Sequence, residues 1–390
     1  MPRLKETPSG QTGLSRRSFA ALLGAGLAEA AIWGHPEWNA ALAARSASAR
    51  PLVLNSNENP YGPSAAVLRA MQSALARAHR YPDDSEERLR QAIAAAHQVD
   101  SNNVLLGCGS SELLRMAAGA FGGALGTVLT AHPTFEALEH YSEAFKARVE
   151  HVLLDVRFRH DLPAFKRRIP AQGALVYLCN PNNPTGTFVG GKDVEEFVRA
   201  VRPPSIVLVD EAYHHYVTSA EYASAAPLAG RHDNVVVLRT FSKVHGLAGL
   251  RVGYALAAKP LCERMARFAT VNGINVVAAE AAIVALAEAD RVKQIRRRTQ
   301  LVKEYLYGEL RNMNLNYIPS ETNFVMFDLG EDVEALIDFL AKRSIFTGRP
   351  FPPLTRMNRV SLGTAAEMRR FVDGVREFRG ARSKNLTISD

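Results

Sequence analysis

The chain has 390 residues, 47% hydrophobic and 22% charged, which suits a globular protein with more than one core and excludes a disordered or fibrous chain. The net charge is +8 but dispersed. Its densest basic run, Arg296-Arg297-Arg298, lies in a helical segment without an aromatic platform, so it reads as a solvated helix face and no nucleic-acid partner is expected. Cys108, Cys179 and Cys262 are too few for a disulfide framework and lack metal spacing. The histidines offer only the adjacent pair His214-His215, read as loop residues, so no metal is expected.

At the N-terminus, Ser15-Arg16-Arg17-Ser18-Phe19 precedes an apolar run from Ala20 to Ile32, and Ala41-Leu42-Ala43 offers a small-residue cleavage site. These are features of an export signal, and the paired arginines resemble the twin-arginine motif. The other reading is an Ala-rich leader with a chance Arg-Arg pair. The run is too short and interrupted to be a permanent membrane anchor. Residues 1–43 are therefore expected to be an export signal delivering the protein to the periplasm; without a working leader it would stay cytoplasmic.

Residues 44–75 read as an arm and a linking helix. The arm ends in Asn57-Glu58-Asn59-Pro60-Tyr61-Gly62-Pro63, where turn formers and prolines fix an irregular backbone. A helix is expected from about Ser64, with Val67, Leu68, Met71 and Leu75 at helical spacing. Arg80-Tyr81-Pro82-Asp83-Asp84 breaks it, and a second helix starts near Asp84 or Ser85, where Asp84 and Glu87 have capping-box spacing. Strands and helices then alternate. Apolar strands are expected at 104–106, 127–129, 149–154, 174–178, 206–209 and 235–238, and helices from Glu112 and Glu136. Continuous apolar strands separated by helices argue for an α/β fold with a mostly parallel sheet covered on both faces. This large domain spans 76–258. From 259 to 380 the pattern changes to long helices, 278–286 and 292–310, then a strand at 323–328, a helix from Asp332 and a strand at 360–362: a smaller α+β domain. Residues 381–390 are a tail.

The polar clusters of the large domain each follow a strand, and open parallel sheets bind ligands at that edge. Gly109-Ser110-Ser111 opens a helix whose free N–H groups suit a phosphate, although an ordinary N-cap looks the same. Asp210 ends an apolar strand and could pair with a buried cation or simply turn the chain. Tyr213 could donate a hydroxyl, Asn183 sits in a proline-flanked turn, Phe135 could stack on a flat ring or join the core, and Arg251 could neutralise a phosphate. Lys243, behind Ser242 and just past a strand, is a Schiff-base amine or a solvated loop lysine. Together they fit pyridoxal phosphate, which needs a lysine, a carboxylate at the ring nitrogen, a donor to the ring hydroxyl, a stacking aromatic and a phosphate cup.

Asn180-Pro181-Asn182-Asn183-Pro184-Thr185-Gly186, Asp210-Glu211-Ala212-Tyr213 and Ser242-Lys243 with Arg251 resemble the fold-type I aminotransferases. The stretches 54–63, 80–83, 323–325 and 358–364 look like the histidinol-phosphate aminotransferase subfamily, and the resemblance runs from about Pro51 to Arg379. It implies an aspartate aminotransferase-like fold with a seven-stranded-type sheet, and ping-pong transfer of an amino group between an amino acid or amino-phosphate, histidinol-phosphate-like or aromatic, and a 2-oxo acid such as 2-oxoglutarate. A lyase or decarboxylase of a phosphorylated amino acid shares the scaffold. By the same resemblance Lys243 is the Schiff-base lysine and Asp210 pairs with the ring nitrogen. Asn183 and Tyr213 bond the ring oxygen, and Phe135 stacks. Ser110, Ser111, Ser242 and Arg251 hold the phosphate. Tyr81 reaches the cofactor of a partner subunit, implying a homodimer. Arg359 binds the substrate carboxylate, with Asn323 and Tyr61 beside it. Two positions depart from the family: Ser111, where an acidic residue is commoner, and Phe351-Pro352-Pro353-Leu354, which follows Arg349-Pro350 where a Gly-Tyr-Gly element is common.

Overall fold

A computed structural model describes residues 51–386. The expected export signal, residues 1–43, lies outside them. The main sheet is built from β2 (Val104–Gly107), β3 (Thr127–His132), β4 (Arg148–Leu153), β5 (Leu175–Cys179), β6 (Ile206–Asp210), β7 (Val235–Thr240) and β8 (Gly253–Ala257), after a short β1 (Leu52–Val53) in the arm. Its seven strands run in the order β2-β8-β7-β6-β5-β3-β4. Pairings from β7 through β4 are parallel, while β8 is antiparallel to both β7 and β2, so β8 alone is reversed.

The central strands are buried throughout, so they read as unbroken apolar runs. Their side chains still alternate. Val176, Leu178, Val207, Val209 and Val237 join one core with helices Asp83–His97 and Val276–Ala287. Tyr177, Cys179, Leu208, Val236 and Leu238 face the other, with helix Gly109–Ala117. Register places Tyr177 opposite Leu208 and Cys179 opposite Asp210, so the period of two brings Tyr177 and Asp210 to the same face.

A third core lies in the C-terminal part. There β9 (Tyr317–Ile318), β10 (Phe324–Asp328) and β12 (Met357–Ser361) form an antiparallel sheet in the order β12-β10-β9. Helices Ala289–Asn312, Glu334–Ala341 and Ala365–Leu386 accompany it. The arm is fastened here: β1 pairs in parallel with β11 (Ile345–Phe346), and Leu52 and Leu54 are buried in the same core.

Several local expectations change. The linking helix is Ala65–Leu75, capped by the Ser64 side chain on the Val67 N–H at 3.1 Å. The second helix starts at Asp83 after Pro82 and has no side-chain cap. The capping box at Asp84 and Glu87 does not form, because Asp84 accepts from Arg88 and Glu87 from Arg90 and Gln91, one turn on. The helix expected from Glu112 begins at Gly109. His214 and His215 lie in a short 3-10 turn, His214–Tyr216, where burial lowers the basicity of both imidazoles. In the basic run, Arg296 donates to the Val217 carbonyl at 3.4 Å, while Arg297 and Arg298 are exposed.

Candidate active site

The ends of β2, β3, β5, β6 and β7 carry Ser110, Phe135, Asn183, Asp210 and Lys243 to one edge of the sheet. The reversal of β8 brings Arg251 to the same edge from the other direction, since Gly253 at its start pairs with Gly107 and Thr240 at the ends of β2 and β7. Arg251 Nη1 donates to Ser242 Oγ at 3.3 Å, and Thr240 and Ser242 share a 2.9 Å hydroxyl bond. Gly109 has φ +74, and a Cβ there would lie 2.3 Å from Arg251 Nη2. The glycine thus lets the helix start, with half-buried Ser110 and Ser111, sit against the guanidinium. The result is a cationic cup of helix N–H groups, hydroxyls and arginine.

Asp210 is 2% exposed at the other side of the site. Burial pushes its carboxyl up to about 6, opposed by hydrogen bonds from the Ala212 N–H at 3.0 Å and the Tyr177 hydroxyl at 3.1 Å. Lys243 is half-buried. Its Nζ donates to the Ser56 carbonyl at 3.0 Å and stands 5.6 Å from the Tyr213 ring centroid. Burial, then the positive charges of Arg359 and Arg251, bring the amine down to about 8, against the opposing pull of Glu58 and Asp210.

Arg359 Nη1 donates to Asn183 Oδ1 at 2.6 Å and Nη2 to the Asn55 carbonyl at 2.5 Å. Burial lowers this guanidinium to about 10. Asn323 Nδ2 donates to the carbonyls of Asn57 at 2.9 Å and Glu58 at 3.2 Å. Asn323 Oδ1 and Arg359 Nε are buried without a hydrogen-bond partner. Tyr61 is half-buried against the cluster of Tyr213, Val244 and Phe324, with the Arg298 guanidinium 4.9 Å from its ring. Phe135 is half-buried against the core on the Asp210 face. Tyr81 stands apart, 82% exposed.

Sequence reasoning gave no role to three residues that complete the site. Asn57 Nδ2 donates to the Tyr213 hydroxyl at 3.1 Å, and Asn57 is itself held by Ser361 through its backbone N–H at 2.8 Å and its Oδ1 at 2.9 Å. Asn59 ties the arm to the lysine loop through the Val244 carbonyl at 2.8 Å. Tyr177 lies in an unbroken apolar strand, where only the period of two signals that it shares a face with Asp210.

The family described as aminotransferase class I and II matches residues 49–375. The chain belongs to this family. It is 37% identical over 331 residues to the histidinol-phosphate aminotransferase of Moorella thermoacetica, covering 84% of this chain and 85% of that one. It is 34% identical to the aromatic amino acid aminotransferase of Cutibacterium acnes, covering 75% and 83%. The solved histidinol-phosphate aminotransferase of Sinorhizobium meliloti, in complex with pyridoxal-5'-phosphate, superposes with a TM-score of 0.78 at 25% identity, covering 89% of this chain and 98% of that one.

This aminotransferase uses pyridoxal phosphate, and its residues fit that group. A cup for an anion, a buried carboxylate for an electropositive ring atom and an amine of lowered basicity stand at one sheet edge. The unpartnered Asn323 Oδ1 and Arg359 Nε add polar capacity beside them. When bound, the cofactor supplies an electron sink for the bonds of a substrate's α-carbon.

Proposed function

We propose that Lys243 is the amine that carries the cofactor and moves the substrate proton, within a site that transfers amino groups from an amino acid or histidinol-phosphate-like donor to a 2-oxo acid. The observation that carries this reading is the place of Lys243 just past β7 at the sheet edge that also carries Asp210 and Arg251, where burial, then the charges of Arg359 and Arg251, lower its basicity to about 8. A neutral Nζ could take up the donor's α-proton and pass it on, while the bound cofactor would supply the electron sink. Asp210 holds a proton on the cofactor's ring nitrogen, and Tyr177 and the Ala212 N–H keep the carboxylate aimed. Asn183 Oδ1 and the Tyr213 oxygen already accept hydrogen bonds, so each residue offers its own N–H or O–H to the cofactor's ring oxygen. Ser110, Ser111, Ser242 and Arg251 hold its phosphate and Phe135 stacks on its ring. Arg359 takes the substrate's anionic group, with Asn323 and Tyr61 alongside.

The protein acts as a homodimer in this reading, with the exposed Tyr81 reaching the partner's cofactor phosphate. Exposed Leu68 and Leu75 on the preceding helix support a buried contact there. The leader, with Arg16-Arg17 before its apolar run, directs export by the twin-arginine route. Purified mature protein should begin near Ala44 and be found in the periplasm; an uncleaved cytoplasmic protein would sink this part.

The test of function is a spectral screen of the holoenzyme. An aromatic amino acid or histidinol phosphate should convert the bound cofactor to its amine form, and 2-oxoglutarate should restore it. If no standard amino acid nor histidinol phosphate does so, the donor reading fails. Release of carbon dioxide without need of a 2-oxo acid would show a lyase instead. Lys243→Ala should lose borohydride-trappable cofactor; trapping at wild-type level would refute the lysine assignment.

A further inference from the structure

A second guanidinium shares an aromatic ring with Arg359. Arg349 and Arg359 share the ring of Phe351, with guanidinium carbons 4.5 Å and 4.7 Å from its centroid. Their charges interact, since Arg349 contributes to lowering the basicity of Arg359. Arg349 is already engaged. Its Nη1 donates to the Pro350 carbonyl at 2.8 Å and its Nη2 to Glu136 Oε2. Glu136 follows Phe135 and occupies the N-cap of helix Ala137–Ala144, yet its side chain makes no cap bond. The carboxylate is left to Arg349, and its charge also reaches Arg359. The pair is partly open to solvent, with side-chain exposures of 36% and 43%, so an incoming ligand meets it.

We propose that Glu136 is a specificity-determining residue that occupies Arg349 and so restricts the site to donors whose anionic group is a monoanion. This rests on the reading of Arg359 as the residue that takes the substrate's anionic group. A carboxylate of charge −1 is matched by Arg359 alone. A phosphomonoester of charge −2 calls for a second cation, and Arg349, which shares the Phe351 ring with Arg359, is held by a protein carboxylate. To use Arg349 it must displace Glu136 and leave that carboxylate unpaired beside a dianion. Of the two donor classes above, the aromatic amino acid fits and the phosphate ester does not.

Two ligands that share a ring and differ in charge test this without turnover. 3-Phenylpropionate and phenyl phosphate are titrated calorimetrically into the holoenzyme at pH 8. Wild type should prefer 3-phenylpropionate. Glu136→Gln should shift the affinity ratio toward phenyl phosphate by about tenfold, and adding Arg349→Gln should abolish that shift. An unchanged ratio in Glu136→Gln, a shift that survives Arg349→Gln, or a wild-type preference for phenyl phosphate would each overturn the proposal. Arg359→Gln separates the two layers. If it does not weaken 3-phenylpropionate, the underlying reading of Arg359 has failed. If it does and Glu136→Gln changes nothing, only the role of Glu136 has failed.

Discussion

Asp210→Asn should stabilise the cofactor-free protein while weakening its hold on pyridoxal phosphate. Burial raises the Asp210 carboxyl from its ordinary value of 3.8 to about 6 in the folded protein. The folded state therefore binds a proton more tightly than the unfolded chain. A carboxyl raised in this way contributes nothing adverse below pH 3.8, and its destabilisation is fully present above pH 6. The difference between about 6 and 3.8 corresponds to about 3 kcal/mol at 1.36 kcal/mol per pH unit. Asparagine has no charge to desolvate. Its oxygen can accept from the Ala212 N–H and its nitrogen can donate to the Tyr177 oxygen. Urea unfolding of both apoproteins should show an advantage for Asn of about 3 kcal/mol at pH 8, shrinking to under ~1 kcal/mol at pH 4. An advantage that does not change with pH, or a variant less stable than wild type at pH 8, would refute the burial argument. Titration with pyridoxal phosphate should show weaker binding by the same variant, since the neutral amide offers no charge to the ring nitrogen.

Two further substitutions probe the frame. Gly109→Ala puts a methyl group 2.3 Å from Arg251 Nη2 at a backbone φ of +74, so cofactor affinity should fall by about tenfold or more, with a stability loss of about 1–3 kcal/mol; wild-type affinity in a spectral titration would show the cup to be looser than drawn. Glu211→Gln weakens a buried ion pair with Arg239, whose Nε is 2.7 Å from Oε2, and should cost about 3 kcal/mol in urea unfolding; an unfolding midpoint equal to wild type would contradict it.

The parts of the site that follow parallel strands were legible in the sequence because each strand is an apolar run that stops at a polar residue. Asp210 after Ile206–Val209 and Lys243 after Val235–Thr240 are such cases. β8 was not legible. Gly253-Tyr254-Ala255-Leu256-Ala257 has weak strand formers, and its place is set by pairing with both β2 and β7. The two-residue strands β1 and β11 exist only through each other. Asn57 owes its role to Ser361, 304 positions away, a contact no local pattern encodes. The Asp84 capping box failed because side-chain pairs one turn along the helix competed for the same carboxylates.

The arm positions two basic groups of the site at once. Leu52 and Leu54 are bonded through their N–H groups to the carbonyls of Ser344 and Phe346, a fixed anchorage. Immediately beyond it, the carbonyl of Asn55 holds Arg359 and that of Ser56 holds Lys243. These carbonyls belong to consecutive peptide groups on a short tether. The guanidinium and the amine therefore take their positions from one stretch of backbone, and any change in the anchorage at Leu52 and Leu54 reaches both.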